Sequence, residues 1–407
     1  MRLLQWRPPR MPLSDDPETS RLLDLGMLIV AGMLSFIVFA RVPVHGLSPD
    51  FMGEFKNHSL LLTNLESTGT TPYSLWYTLQ KVLVGRNRDE LVLLNAGWLM
   101  LGALAVIKGV VLTGVIFTTS ASRLQALVIG FFLGAAVALP LPFLERHSRL
   151  TDRPVHYLGT LPPNVFMSAT QLMANTAAVI AVVTLALYFQ SPTWARFVSM
   201  VATGLVATLT KPGIAPALLA TVGLVSLLLV RSHRQEVRTT VARIAIAALL
   251  IGLPLLGAYR GFMNGGGYLD LHSEFRPFVT WTAFTSQWFP DLIASWAFPI
   301  VVLGVLFVTR NATVIRREWL IPAWSVTLMS TLMFAVLAEI NGKGEVVYAG
   351  NFAWGAMAAT SGLYVVSAIA LHGIHWKVRW IPLAVLAVQA LAGLNYIDVY
   401  IRTGSFL

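Results

Sequence analysis

Two carboxylates and an imidazole stand four residues apart early in the chain, at Asp50, Glu54 and His58. Pro49 followed by an acid is typical of a helix start, and residues four apart share one face of a helix. Such a face could bind a divalent cation or supply a general base. The alternative is the solvated side of a helix lying at a membrane surface. We take Asp50 and Glu54 as candidate catalytic residues and His58 as a candidate substrate-binding residue.

A second polar segment, residues 145–167, is rich in arginine and histidine. Guanidinium groups bind phosphate oxygens through paired hydrogen bonds, so this segment predicts a site for a phosphate or diphosphate group. Anchoring to lipid headgroups is the alternative. The candidate substrate-binding residues here are Arg146, His147, Arg149, Arg153 and His156.

Three further binding candidates lie later in the chain. Lys211 precedes Pro212 between two apolar blocks, where the proline breaks the helix and the lysine could neutralise a phosphate or extend its amine to the membrane surface. Tyr268 follows a run of glycines that is typical of a mobile segment. His272 belongs to an alternation of charged residues, which an ordinary solvated turn would also explain. A last polar stretch around Glu339 could supply sugar-binding groups.

The elements that must position these residues are membrane-spanning helices. Hydrophobic residues make up 56% of the chain and charged residues 12%, which is outside the range of soluble domains. The apolar residues form blocks of roughly 17 to 27 residues, long enough to cross a hydrocarbon core of about 30 Å. These blocks lack the alternation of barrel strands, and backbone groups inside a membrane must be hydrogen-bonded within the segment. Each block therefore predicts a helix.

About eleven blocks of this length are present, which predicts an all-α fold: a polytopic transmembrane helical bundle forming one domain over residues 1–407. The first connection, 41–90, is expected to carry amphipathic helices at the membrane surface, and 145–167 and 260–291 are further long loops. Trp281, Trp288 and Trp296 are expected in an aromatic belt at that surface. The predicted spans are 22–40, 91–117, 124–144, 168–189, 194–209, 213–230, 241–259, 292–308, 319–337, 352–371 and 381–400.

Charge predicts the orientation of the bundle. With a cytoplasmic N-terminus, the inner segments hold about fifteen basic residues against about six acids, whereas the outer segments are close to neutral, as the positive-inside rule requires. This distribution explains the net charge of +10 without nucleic acid. The first span is expected to be an uncleaved anchor. Lys108, inside a block, either reaches the membrane surface or lines a cavity. The absence of cysteine excludes disulfides and thiolate metal sites.

The layout of a first span, an acid at the start of a long outer loop, two surface helices and a many-span body resembles the GT-C superfamily of membrane glycosyltransferases. Three stretches also resemble a group of bacterial envelope proteins of this type. They are Asp50 to Pro72 with the following Tyr73-Ser74-Leu75-Trp76-Tyr77, then Tyr157-Leu158-Gly159 with Pro162-Pro163-Asn164, and Thr210-Lys211-Pro212. The resemblance covers about the first half of the chain.

The resemblance implies transfer of a sugar from a polyprenyl-phosphate-linked donor to a glycan or lipid-linked acceptor on the outer face of a bacterial inner membrane. It implies that Asp50 is the base or lies beside a metal, with Glu54 next to it; no cofactor is certain, and a divalent cation is the one considered. A polysaccharide polymerase or ligase would depend on the arginines instead. A lipid or sugar transporter is disfavoured, because the spans contain almost no acids and show no repeated halves. A non-catalytic scaffold is the remaining alternative.

Overall fold

The computed structural model describes residues 17–40, 59–60, 62–63, 74–119, 122–140, 160–165, 168–263, 271–309, 317–341, 343–347 and 351–403. Over these residues the chain forms a helical bundle with a small antiparallel sheet at one end. The prediction of a helical bundle is confirmed, and the sheet is an element that the apolar blocks did not indicate.

Fourteen helices and three strands make up the described part of the chain. The helices are α1 (Pro17–Phe39), α2 (Leu75–Val84), α3 (Glu90–Phe117), α4 (Arg123–Ala135), α5 (Ala169–Gln190), α6 (Trp194–Thr210), α7 (Ala215–Arg231), α8 (Val237–Met263), α9 (Val279–Phe284), α10 (Trp288–Ser295), α11 (Ala297–Val308), α12 (Arg317–Val336), α13 (Asn351–Ala370) and α14 (Trp376–Thr403). The strands are β1 (Leu271–Phe275), β2 (Leu337–Asn341) and β3 (Val346–Val347), and single 3₁₀ turns cover Pro212–Ile214 and Leu371–Gly373.

Local sequence explains where many of these helices begin. A short polar side chain accepts a hydrogen bond from a first-turn amide at the start of α2, α3, α4, α5 and α6, which satisfies a group that the helix itself leaves unpaired. The capping residues are Ser74, Asp89, Ser122, Ser168 and Thr193.

Eight of the described helices are long and apolar enough to cross a membrane, and the number is nine if α10 and α11, which are bent by 68° at their junction, form one span. Two further apolar helices, α4 and α6, are shorter. The chain is therefore a multi-pass membrane protein, and the predicted number of about eleven spans is confirmed only in part. The two blocks on either side of Lys211 are separate helices joined by the first 3₁₀ turn.

Three expectations about individual segments are wrong. The helix predicted over 124–144 ends at Ala135, and the described residues after it are not helical. The span predicted over 292–308 is the bent pair α10 and α11 rather than one straight helix. Trp281 and Trp296 are buried in the bundle instead of lying in a surface belt, because Trp281 packs against Phe334 and Trp296 against Trp324.

The centre of the bundle is formed by α5 and α13. Their spans are 83% and 89% buried, against 28% for α1 and 22% for α8, which lie at the edge. Gly362 of α13 faces Val182 of α5 so closely that a side chain there would collide with it. Small residues permit this approach, and close packing is what holds helices together where no hydrophobic effect acts between them.

One end of the bundle carries the sheet. Strand β1 pairs with β2 and β2 pairs with β3, all antiparallel, and Ser273 lies opposite Glu339. His272 and Glu274 are therefore in a strand, with Arg276 directly after it, and the interpretation of these residues as a solvated turn is wrong. Their alternation reflects the period of two along a strand, which places every second side chain on one face.

The other end of the bundle, which we call the arginine end, is held by guanidinium groups. Three arginines from three different segments bind carbonyls in the last turn of α5 and in the connection that follows it. Arg196 donates to Leu187 O at 2.8 Å, Arg243 donates to Pro192 O at 2.8 Å, and Arg234 donates to Gln190 O. Cations at a helix C-terminus satisfy its unpaired carbonyls and interact favourably with its dipole. These arginines are among the basic residues that were counted for the positive-inside pattern, and in the structure they also stabilise the end of a helix and the connection after it.

Candidate functional site

Most of the predicted site residues lie outside the described part of the chain. This holds for both candidate catalytic residues, for the whole arginine-rich set and for the tyrosine after the glycines. The residues in question are Asp50, Glu54, His58, Arg146, His147, Arg149, Arg153, His156 and Tyr268. Their roles stay predictions. Lys211 and His272 are described, and both lie at the end of the bundle that carries the sheet.

Contacts between distant segments define this end, which we call the sheet end. The Ser74 hydroxyl, at the start of α2, donates to Thr210 O at the end of α6 at 3.3 Å. Gln171, at the start of α5, donates through Nε2 to Trp354 O at 3.0 Å. Glu339 of β2 binds Asn351, the first residue of α13. Helices that alternate in direction thus begin or end together here.

Lys211 stands directly after α6 and is half-buried. Its Nζ lies 5.3 Å from the centroid of the Trp354 ring. An ammonium group above an indole face is attracted by the ring quadrupole. The ring therefore holds the lysine at the sheet end, in the connection between α6 and α7, which the sequence placed between two apolar blocks.

Glu339 is 8% exposed, and its carboxylate is fully engaged with the start of α13. Asn351 donates to it twice, from Nδ2 at 2.6 Å and from the backbone N at 3.3 Å. A carboxylate at a helix N-terminus satisfies a free amide and interacts favourably with the dipole. This geometry gives Glu339 a capping role, whereas the sequence suggested sugar binding.

His272 takes part in a short chain of polar contacts along one face of β1. Its Nε2 lies 3.0 Å from Oε1 of Glu274, and Arg276 donates from Nε to the other carboxylate oxygen at 2.9 Å. These hydrogen bonds lower the pKa of Glu274. All three side chains remain partly exposed. Both oxygens of the carboxylate are engaged, one by His272 and the other by Arg276.

Helix α2 confirms the second amphipathic helix predicted in the first long connection. Trp76, Tyr77 and Gln80 are buried against the bundle, and Gln80 donates to Leu93 O at 3.1 Å. Its opposite face exposes apolar side chains, including Val82 at 74% and Leu83 at 50%. An apolar exposed face on a short helix beside a membrane bundle is typical of a helix lying at the membrane surface.

A second polar centre lies inside the bundle, where α4 stops. Asn164 donates from Nδ2 to Leu133 O and to Ala136 O, both at 2.8 Å. Lys108 donates from Nζ to Asn164 Oδ1 at 2.6 Å and to Gly134 O at 3.1 Å. The side chain of Lys108 is 3% exposed. Of the two alternatives that the sequence left open for this lysine, the structure supports the cavity.

The bent junction of α10 and α11 meets the same centre from the other side. The Nε2 amide of Gln389, near the middle of α14, has three acceptors within hydrogen-bond distance: Ala294 O at 3.2 Å, Val137 O at 2.9 Å and the Tyr364 hydroxyl at 2.7 Å. The Tyr364 hydroxyl donates to Ser295 O at 2.7 Å. Non-helical backbone at membrane depth is tolerated where protein groups satisfy it, as they do here.

A small cavity lies between these two sets of contacts. Its volume is about 10 Å³, and Lys108, Asn164, Asn175, Ser361 and Tyr364 are among the residues that line it. A polar cavity of this size has room for roughly one water molecule. It is therefore too small for a sugar.

Within the described residues, no group of three or more histidine and acidic side chains is arranged to hold a metal ion. The cation considered for Asp50, Glu54 and His58 lies outside those residues and stays a prediction. The polar residues inside the bundle were not predicted as a group. A glutamine or asparagine within an apolar block, such as Gln171 or Gln389, was the available signal, because a buried amide needs partners.

Comparisons of the chain with family models, with curated proteins and with solved structures found no match.

Proposed function

We propose that this protein is a membrane glycosyltransferase that transfers a sugar from a polyprenyl-phosphate-linked donor to a glycan or lipid-linked acceptor at the sheet end. The observation that carries the proposal is the gathering of polar groups and chain connections at that end. The described residues that flank 41–73 and 264–270 along the chain lie at this end. Lys211 and His272 lie there as well. Polar connections on a rigid scaffold are where binding and catalytic residues concentrate.

In this proposal Asp50 takes the proton of the acceptor hydroxyl or orients that group, with Glu54 beside it. Arg146, Arg149 and Arg153, or Lys211, stabilise the charge that develops on the phosphate leaving group. Charge stabilisation by fixed cations is usually the largest single contribution to such a reaction. The position of Lys211, held above Trp354 at the mouth of the bundle, supports its assignment to this group.

The first experiment measures transfer by the purified protein in lipid vesicles containing a polyprenyl-phosphate-linked radiolabelled sugar and an acceptor extract. We expect wild-type transfer and none by Asp50→Asn, because the amide keeps the shape of the carboxylate but cannot accept a proton. Equal thermal unfolding of both proteins is the control for folding. Full activity of Asp50→Asn would contradict its assignment as the base, and inactivity of the wild type across a panel of donors would contradict the proposed function.

A second variant tests the contribution of a described residue. Lys211→Met removes the charge and keeps most of the apolar stem, so we expect transfer to fall about 100-fold. Lys81→Met, which removes an exposed charge from α2, is the matched control and should leave transfer within about twofold of wild type, since surface substitutions have small effects. Equal losses in the two variants would remove Lys211 from the proposed site. Sugar transfer that continues in the presence of a chelator would contradict a requirement for a divalent cation.

A polysaccharide polymerase or ligase is the second enzymatic candidate. It predicts a larger loss in Arg149→Ala than in Asp50→Asn, whereas our proposal predicts the reverse.

One observation favours a transporter as a candidate of another class. The bent pair α10 and α11 and the end of α4 are discontinuities inside the bundle, and transporters build substrate sites from such interrupted helices. Movement of labelled lipid-linked sugar across vesicle membranes without a covalent product would favour this candidate. A scaffold would show neither transfer nor transport.

We further propose that the protein lies in a bacterial inner membrane with a cytoplasmic N-terminus and the sheet end on the outer side. The arginine residues at the opposite end support this orientation.

A further inference from the structure

The arginines at the arginine end fall into two groups. Arg196, Arg234 and Arg243 donate to carbonyls in the last turn of α5 and in the connection after it. Arg231, the last residue of α7, and Arg238, in the first turn of α8, are exposed. Neither of these two forms a hydrogen bond or a salt bridge with the residues that the structure describes. The second group therefore contributes little to the packing of the bundle, and its charge faces the surroundings.

Positive charge dominates this surface. Residues 191–196 and 231–243 contain five arginines and one acid, Glu236. The carboxylate of Glu318, on α12, lies 3.5 Å from Arg234 and offsets an arginine of the first group. The exposed arginines of the second group thus have an excess of charge over the nearby acid, and the partner that fits them is an anion.

Arg231 ends a stripe of exposed apolar side chains on α7. Ala220, Leu224 and Leu227 precede it at intervals of three or four residues, which places all of these side chains on one face of the helix. Leu227 is 63% exposed. Because α7 is long and apolar enough to cross a membrane, this face contacts lipid chains, and the arginine at its end lies at the level of the headgroups.

A matching stripe begins at Arg238 on α8. Val241, Ala245 and Leu249 follow it at the same intervals and are exposed, Val241 to 61% and Leu249 to 62%. Helices α7 and α8 pack against each other and are joined by residues 232–236. The two stripes therefore lie on neighbouring helices of one lipid-facing surface, with an arginine at the same end of each.

An anionic phospholipid matches both features of this surface. Guanidinium groups bind phosphate oxygens through paired, charge-assisted hydrogen bonds. Basic residues at the ends of membrane-spanning helices attract anionic headgroups, and the acyl chains of the same molecule match the apolar stripes below them. A free phosphate or an acidic soluble protein matches the arginines but leaves the stripes without a partner.

We propose that Arg231 and Arg238 form a binding site for the phosphate of an anionic phospholipid, whose acyl chains lie along the exposed apolar faces of α7 and α8. The inference goes beyond the proposed function and does not depend on it, because it uses none of the residues assigned to sugar transfer. It requires only that the chain spans a membrane.

The test compares two lipids with the same acyl chains, phosphatidylglycerol, whose headgroup is anionic, and phosphatidylcholine, whose headgroup is zwitterionic. The purified protein is titrated with each lipid in a neutral detergent, and bound lipid is counted by native mass spectrometry. The variants are Arg231→Gln, Arg238→Gln and the double variant. Arg402→Gln is the matched control, because Arg402 is also an exposed arginine near the end of an apolar helix, but Asp398 neutralises it at 2.9 Å.

We expect the wild type to bind phosphatidylglycerol about tenfold more tightly than phosphatidylcholine, since each arginine near the headgroups adds to the attraction. Each single variant should lose about threefold of this preference, and the double variant should bind the two lipids within about twofold of each other. Arg402→Gln should keep the wild-type preference. Inorganic phosphate at the same concentration should not displace the lipid, because it has no acyl chains to contact the stripes.

Four results would overturn the inference. Equal binding of the two lipids by the wild type would show that the surface does not select an anion. A preference that persists in the double variant would place the site elsewhere, and an equal loss in Arg402→Gln would show that any exposed arginine has the same effect. Displacement of the lipid by inorganic phosphate would assign the two arginines to a free anion. Equal thermal unfolding of all variants without lipid is the control for folding.

Discussion

The Nζ atom of Lys108 lies 2.6 Å from Oδ1 of Asn164, although the two residues are 56 positions apart in the chain. Lys108 belongs to α3 and Asn164 to the segment before α5. Together they donate hydrogen bonds to the carbonyl groups at the end of α4 inside the bundle. The pair replaces the water that would otherwise satisfy a helix C-terminus. Removing either member should therefore weaken the bundle at this junction.

Asn164→Leu should lower the free energy of unfolding by about 2 kcal/mol, because two carbonyls of α4 lose their donor and Lys108 loses an acceptor. Denaturant unfolding in mixed micelles measures the change. Asn395→Leu, at an exposed position of α14, is the matched control and should change the free energy by less than about 0.5 kcal/mol. Equal effects of the two substitutions would mean that the cap contributes nothing specific.

Arg243→Met should destabilise the bundle by about 2 kcal/mol, because the guanidinium both donates to Pro192 O in the connection after α5 and packs against aromatic rings. The arginine is 4% exposed, and its guanidinium carbon lies 4.6 Å from the Trp194 ring centroid and 5.6 Å from those of Tyr188 and Phe197. Thermal unfolding followed by tryptophan fluorescence measures the loss. Arg238→Met, which changes an exposed arginine of the same helix, should unfold close to wild type. A larger loss in Arg238→Met than in Arg243→Met would contradict the stabilising role of Arg243.

His372, in the turn after α13, should make the protein less stable in mild acid. Burial, together with the positive charge of Arg379, lowers its pKa from the ordinary 6.5 to about 4. The unfolded chain then binds the proton more readily, so stability is complete above about pH 6.5 and falls as the pH decreases toward 4, by at most about 3 kcal/mol. Unfolding measured between these pH values should show a flatter profile for His372→Gln than for wild type. An identical profile in both, with His375→Gln as the exposed control, would assign the acid sensitivity to other groups.

Single cysteines should report the orientation of the bundle. Lys343→Cys at the sheet end should react with a membrane-impermeant maleimide in intact cells. Ser232→Cys at the arginine end should react only after the membrane is opened, since arginine-rich ends remain in the cytoplasm. Both positions are exposed, and the natural chain has no competing thiol. Labelling in the reverse pattern would invert the proposed orientation and move the sheet end into the cytoplasm.

Helix positions were largely predictable from the sequence. The block predicted at 91–117 corresponds to α3 (Glu90–Phe117), and the block at 168–189 corresponds to α5 (Ala169–Gln190). This agreement has a local cause, because a spanning helix satisfies its own backbone and its length is fixed by the hydrocarbon thickness. The candidate site was less predictable. Lys211 lies between two helices, as the apolar blocks on either side of it predicted, but its contact with Trp354 joins residues far apart in the sequence.

The apolar sequence of residues 136–144 continues that of α4, and hydropathy alone predicts one uninterrupted helix there. Pro140 is a local cause of the end of the helix at Ala135, because proline has no N–H to donate to Ala136 O. Donors from other segments, on Asn164, Lys108 and Gln389, satisfy the backbone where it stops being helical. The sequence by itself thus determined that this is a multi-pass helical membrane protein and where most of its helices lie, since those properties depend on local composition. Only the tertiary structure decided how the end of α4 is satisfied inside the bundle and which way Lys108 points, since both depend on hydrogen-bond partners from distant parts of the chain.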